Sequence, residues 1–218
     1  MARKYDFVLF DFDGTLLDSL GDLTDSVNYT LAQYGCPPRT QEEIRSFIGN
    51  GAEYLIRKAL PGKETDPPVA EALATYKAYY ATHARIKTKP YDGILSALEV
   101  LGQKYPVAIV SNKPDIAVKL LCKDYFGDVY ALGEAADCPR KPAPDMIFKA
   151  MKAIGVERCV YVGDSEVDVL TAKNAGMPCV GVLWGFRDQA DLEAAGGCVY
   201  CEKTEDLVKI IEETIHGQ

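Results

Sequence analysis

The chain has 218 residues, 48% hydrophobic and 26% charged, an ordinary globular composition that can bury a sizeable core without disulfides or a structural metal. Its 32 acids outweigh 24 lysines and arginines, a formal net charge of -8 that argues against the broad basic surface needed by a nucleic-acid or anionic-membrane binder. No apolar run approaches the ~20 residues of a membrane helix, and seven cysteines with no leader pattern before the first strand pattern point to a reducing, cytoplasmic setting.

The first element is YDFVLF (5–10), an apolar run without alternation, as a strand covered on both faces requires. It runs into Asp11, Asp13, Gly14 and Thr15. Carboxylates held that close are unfavourable unless a cation lies between them. Gly14 permits a sharp turn, after which Thr15 can hydrogen-bond within the loop. A calcium loop also opens with spaced acids, but it places glycine sixth, and Gly14 is fourth counted from Asp11.

About ninety residues then separate the first strand from the second, whereas a βαβ unit needs only about thirty. The interval reads as helical. Leu20, Leu23, Val27, Leu31 and Tyr34 recur at three- and four-residue steps and give one apolar face. Segment 41–60 holds two shorter helices broken at Gly49, Asn50 and Gly51, and Val69, Leu73, Tyr76 and Tyr80 mark another. Asp18 and Ser19 are expected to cap the first of these helices, with Asp22 in its first turn. Residues 16–86 are therefore read as an inserted all-helical cap domain over the carboxyl edge of a sheet, with residues 1–15 and 87–218 forming an α/β core. The expected hinges are Thr15–Asp18 and Lys87–Tyr91.

Beyond residue 87 the pattern alternates. Strand-like runs at 106–111, 129–133, 159–164 and 179–185 are separated or flanked by helical patterns at 94–105, 115–124, 144–154 and 167–175, and DLVKIIEETI closes the chain. This alternation predicts a doubly wound, mostly parallel sheet. A lone CxxC, Cys198 and Cys201, has no matching spacing to His83 or His216, so both are read as ordinary strand cysteines.

In such sheets ligands bind outside the carboxyl ends of the strands. Those ends carry Asp11 and Asp13, then Ser111, Asn112 and Lys113, then Lys141 in a proline-stiffened loop, then Asp164 with Asp168 four residues on. Acids, hydroxyls and a cation so arranged suit a divalent cation together with a phosphate. Mg2+ prefers hard oxygen ligands and keeps several waters. Asp11 and Asp164 are its natural ligands, with the backbone carbonyl of Asp13 as a third. Asp168 could orient metal-bound water, pair with Lys141 or simply cap a helix, and it completes the expected metal set. Ser111, the backbone N–H of Asn112 and Lys141 would meet the phosphate.

The segments Asp11-Phe12-Asp13-Gly14-Thr15, Val110-Ser111-Asn112, Lys141-Pro142-Ala143-Pro144 and Gly163-Asp164-Ser165-Glu166-Val167-Asp168 together resemble the four motifs of the haloacid dehalogenase-like phosphohydrolases. FIGNGAEYLIRKAL (47–60) and WGFRDQADLEAAG (184–196) resemble the cap loop and late strand-and-loop of the phosphoglycolate phosphatase branch. The resemblance implies a Rossmann-like core and a Mg2+-dependent phosphomonoesterase acting on a small phosphorylated metabolite, with 2-phosphoglycolate as a candidate. Asp11 would attack phosphorus and carry an aspartyl-phosphate, and Asp13 would serve as general acid and then base. Lys141 would neutralise the phosphoryl oxygens while Ser111 and Asn112 hydrogen-bond them. Thr15, Gly49, Asn50 and Gly51 complete the expected substrate contacts, although the two glycines serve equally well as a helix–helix turn. Arg45 and Arg57 are candidates for a substrate carboxylate, with surface exposure the plainer reading, and Trp184 is read as packing.

Other activities remain on the same machinery: inorganic pyrophosphatase, sugar or nucleotide phosphatase, or phosphosugar mutase. A phosphonate hydrolase would need a desolvated cap lysine, and nothing marks Lys58, Lys63 or Lys77 as one. A phosphate-accepting signalling receiver has similar strand-end residues, but it needs no cap and lacks a second acid two residues past the first. The complete motif set also disfavours a catalytically idle binding protein. The sequence leaves oligomeric state open.

Overall fold

Val8 and Phe10 face one side of the first strand and Phe7 and Leu9 the other, and all four are fully buried. A strand buried on both faces needs neighbours on both edges and layers above and below. The computed structural model, which describes residues 5–62 and 66–217, supplies them.

In chain order the first elements are β1 (Phe7–Phe10), β2 (Leu17–Asp18), α1 (Leu20–Gln33), α2 (Gln41–Phe47), α3 (Ala52–Ala59), α4 (Val69–His83) and β3 (Lys89–Pro90). There follow α5 (Ile94–Gly102), β4 (Val107–Pro114), α6 (Asp115–Phe126), β5 (Tyr130–Glu134), α7 (Asp145–Ile154) and β6 (Cys159–Gly163). The chain continues through α8 (Glu166–Ala175), β7 (Cys179–Val182), α9 (Gln189–Ala195), β8 (Val199–Cys201) and α10 (Leu207–His216). The main sheet has six strands in the order β5-β4-β1-β6-β7-β8, all parallel. Ile94 and Leu101 of α5, Leu121 of α6 and Ile211 of α10 pack on the Val8–Phe10 face. Met146 and Ile147 of α7 and Ala172 of α8 pack on the Phe7–Leu9 face. The fold is the doubly wound α/β class that the strand–helix alternation predicts.

Helices α1 to α4 bury a core of their own, built from Leu23, Val27, Leu31, Ile44, Leu55, Ile56, Tyr76 and Tyr80. One member of that core comes from far along the chain: Phe186, in the loop after β7. The chain leaves the main sheet through β2 and returns through β3, and the two pair antiparallel, Leu17 with Pro90 and Asp18 with Lys89. Asp22 fastens this crossing. Its carboxylate accepts from the backbone N–H groups of Ile86, Lys87 and Thr88 and from the Thr88 hydroxyl.

The capping expectation for α1 is corrected here. Ser19 is the N-cap residue but makes no side-chain cap bond, and its buried hydroxyl has no hydrogen-bond partner among the described residues. Asp22 is spent on the returning chain instead. Strand β8 and helix α9 were not delimited by pattern. Each is short, three and seven residues, and α9 buries only Leu192, so neither shows a clear apolar pattern. Cys201 ends β8 and is buried, while exposed Cys198 precedes the strand. Lys63 lies outside the described residues. Among the described residues no helix is long and apolar enough to cross a membrane.

Candidate active site

The carboxyl ends of β1, β4 and β6 converge beneath α1–α4, and a cavity of about 60 Å3 lies between them. Asp11, Asp13, Ser111, Asn112, Lys141, Asp164, Gly49 and Gly51 all line it. Thr15 and Asp168 stand one contact behind, and Asn50 lies between the two lining glycines without joining the wall. Residues 11, 111, 141 and 164 thus meet because four separate segments end on one edge, as the parallel sheet dictates.

Carboxylate oxygens of Asp11, Asp164 and Asp168 lie within 4.8 Å of one another. All three residues are buried, at 7%, 1% and 0% exposure. Lys141 Nζ sits 2.7 Å from Asp11 Oδ1 and 2.7 Å from Asp168 Oδ1. Three buried acids therefore face one buried lysine. Burial, then the Asp168 charge, pushes the Asp11 carboxyl up to about 7 despite Lys141. Burial also holds the Asp164 carboxyl well above its ordinary range, with Asp168 and Asp11 adding repulsion. Lys141 loses by burial but is held charged by Asp11 and Asp168, so its ammonium titrates above the usual lysine range.

This donor set fits a divalent cation. The acids are hard oxygen donors with no histidine or cysteine among them. Asp11 Oδ1, though ion-paired, receives no aligned hydrogen bond from the described residues. Asp168 differs from the other two. Its Oδ1 accepts from Lys141 Nζ at 2.7 Å and the Tyr161 hydroxyl at 3.0 Å, and its Oδ2 accepts from the Ser165 N–H at 3.1 Å and hydroxyl at 2.6 Å. It caps α8 and pairs with Lys141 at once, two of the roles weighed for it.

Asp13 lines the same cavity but stands outside the three-acid cluster. Its carboxylate pairs with Lys113 Nζ at 2.9 and 3.0 Å, and the same nitrogen lies 2.6 Å from the Tyr80 hydroxyl of α4. Asn112 also spans the two layers. Its Nδ2 donates to the carbonyls of Gly49 and Lys141, both at 2.9 Å, and its Oδ1 accepts from the Lys141 N–H at 2.8 Å. That side chain is thus committed to backbone groups of the two layers, and β4 runs on through Asn112 to Pro114 with a register shift after Val110.

Thr15 does not bond within its own loop. Its hydroxyl donates to Asp164 Oδ1 at 3.2 Å. Gly14, at φ +84°, lies so close to Asp164 that a Cβ would collide with the carboxylate, which is a requirement for glycine beyond the turn itself. Gly49 and Gly51 also adopt positive φ, at +116° and +85°, so they serve the turn and the cavity wall together. Arg57 is an exposed partner of Glu53. Trp184 packs on the main core and donates from Nε1 to the Thr15 carbonyl at 3.0 Å.

The model of the family described as "Haloacid dehalogenase-like hydrolase" matches residues 8–182. The chain belongs to the haloacid dehalogenase-like hydrolases. Phosphoglycolate phosphatase 1 of Pseudomonas aeruginosa is 34% identical, over 94% of this chain and 79% of its own length. A phosphoglycolate phosphatase of Agrobacterium fabrum is 36% identical, over 83% and 81%. A provisionally designated phosphoglycolate phosphatase of Lactobacillus delbrueckii subsp. bulgaricus has a crystal structure that superposes with TM-score 0.87 at 38% identity, covering 99% of this chain and 100% of that one.

Within this haloacid dehalogenase-like site, sequence reasoning passed over four contributors. Lys113 follows Ser111 and Asn112 in β4, and its role shows only in its ion pair with Asp13. Tyr161 faces inward from β6 onto Asp168 and Lys141. Tyr80 and Phe186 read as core apolar residues, and only coordinates bring them to the charged groups. Arg45 was considered for a substrate carboxylate, yet its guanidinium donates to the carbonyls of Phe186 and Gly185.

Proposed function

We propose that this phosphatase hydrolyses 2-phosphoglycolate, with Mg2+ bound by Asp11 and Asp164. The observation that carries the reading is the convergence of three buried carboxylates and Lys141 on one small cavity that is also lined by Ser111 and Asn112. The cavity is far below the several hundred Å3 that a drug-sized ligand fills, which favours a small substrate. Lys113 and Arg187 also line it, each already paired, with Asp13 and with Glu166. The relatives named phosphoglycolate phosphatase agree with such a molecule.

In the proposed reaction a carboxylate oxygen of Asp11 attacks phosphorus and the P–O bond to the alcohol breaks. Asp13 gives a proton to the departing oxygen. Asp13 then takes a proton from the water that attacks the aspartyl-phosphate, which releases inorganic phosphate and restores Asp11. Lys141, the Ser111 hydroxyl and the Asn112 backbone N–H hold the phosphoryl oxygens, and bound Mg2+ would supply charge neutralisation there. Asp168 and Tyr161 keep Lys141 charged and aimed. Residues 16–86 act as a cap that excludes water and selects substrate by fit. Ranking kcat/KM across 2-phosphoglycolate, sugar phosphates, nucleotides and pyrophosphate, with and without Mg2+, tests this. The expected result is a clear preference for 2-phosphoglycolate that disappears with chelator. A flat ranking, or a bulky sugar phosphate at its head, would contradict the substrate assignment.

A further inference from the structure

The loop after β7 is held from both sides. The Phe186 N–H donates to Asp164 Oδ2 at 2.7 Å. The Phe186 carbonyl, on the next peptide unit, accepts from Arg45 Nε at 2.9 Å, and the preceding Gly185 carbonyl accepts from Arg45 Nη2 at 2.7 Å. The Phe186 ring is buried in the apolar core of α1–α4 rather than in the core of the main sheet. Arg187 returns the grip. It donates to the carbonyls of Arg45 at 3.0 Å, Ser46 at 3.3 Å and Ile48 at 2.8 Å, and it pairs with Glu166 at 3.0 Å.

One short segment therefore touches Asp164 with its backbone and the helical layer with the Phe186 ring, two carbonyls and the Arg187 guanidinium. We infer that Gly185–Arg187 is a mechanical link through which the seating of α1–α4 positions Asp164, with Arg45 and Arg187 as positioning residues for the metal site. This rests on the reading of Asp164 as a metal ligand. The physical reason is a shared constraint. Asp164 is 1% exposed and has a Thr15 hydroxyl on one oxygen and the Phe186 N–H on the other. If Arg45 releases the two carbonyls, the Phe186 peptide is free to rotate and the carboxylate loses a fixed donor. Such outer hydrogen bonds orient ligands and matter to affinity. Linkage is reciprocal, so metal binding must also favour the seated helices.

The test uses the full chain and Mg2+ alone, without substrate. Calorimetry gives the Mg2+ affinity of wild type, Arg45→Met, Arg187→Met and Asp164→Asn, with Arg57→Ala as an exposed control and thermal melts to establish folding. Arg45→Met and Arg187→Met should each bind about tenfold more weakly, and Arg57→Ala should match wild type. Hydrogen exchange adds a readout independent of affinity: Mg2+ should slow amide exchange at 45–49 in wild type as well as at 185–187. Arg45→Met and Arg187→Met that both fold and both bind like wild type would overturn the link, as would Mg2+ protection confined to 185–187. A wild type that binds no Mg2+, or an Asp164→Asn that binds normally, would instead overturn the metal reading and the link with it.

Discussion

Two buried lysines anchor the site, and they are partnered differently. Lys141 meets Asp11, Asp168 and Tyr161, all carried by β1, β6 and α8 of the sheet layer. Lys113 meets Asp13 from the sheet layer but also Tyr80 from α4. The side chains of both lysines are 3% exposed, so burial does not separate them. Their partners do. The Lys141 group is complete without the helices, and it holds what any phosphate ester needs. The Lys113 group is complete only when the helices are seated. The Lys141 charge is thus preorganised within the sheet layer, whereas the placement of the proposed acid–base residue is tied to the helical layer.

The contrast breaks most sharply at Lys141. Lys141→Met leaves Asp11 and Asp168 buried without their cation. Steady-state phosphate release should fall by about a thousandfold, and denaturant unfolding of the metal-free protein should show a loss of about 3–5 kcal/mol. Lys113→Met removes the ion pair of an acid whose side chain is only 12% exposed. Initial-rate kinetics should show a loss of kcat of about ten- to a hundredfold, and denaturant unfolding a smaller loss than for Lys141→Met, because one acid rather than two is left without its cation.

The acids themselves give a pH test. Asp11 and Asp164 have folded-state values above their ordinary ones. Groups raised in this way favour folding below the unfolded value and lose that contribution as pH rises through the folded one. The metal-free protein should therefore lose stability as pH rises from about 4 to about 7, by on the order of 1 kcal/mol per unit, and added Mg2+ should restore more at the upper end. Thermal melts across that window in chelator and in Mg2+ measure both slopes. The mildest change is Tyr80→Phe, which deletes only the hydroxyl that reaches Lys113. A fall in kcat of about fivefold, with the Mg2+ requirement unchanged, would mark the helical side of the comparison.

Much of this was legible in the sequence. The run from Phe7 to Thr15 reads as a buried strand ending in acids, and strand-end logic gathers Ser111, Lys141 and Asp164 without coordinates. The long helical interval shows as a broken βαβ rhythm. What was not legible depends on approach between layers. Phe186 looks like any core aromatic, and nothing in the spacing of 45 and 186 says that one will hold the other's carbonyl. Thr15 and Asp22 illustrate the same limit: each has an obvious local use, in its loop or at a helix start, and each is drawn instead to a partner far along the chain. Local rules give a polar residue its nearest option, and burial then decides which option is taken.

The most direct measurement is acid-quench mass spectrometry of the protein mixed with 2-phosphoglycolate and Mg2+ on the millisecond scale. One phosphoryl group should appear transiently on the peptide containing Asp11 and vanish as phosphate is released, and Asp11→Asn should show neither. Sustained turnover by Asp11→Asn, or a phosphoryl group on any other residue during full-rate turnover, would contradict the account.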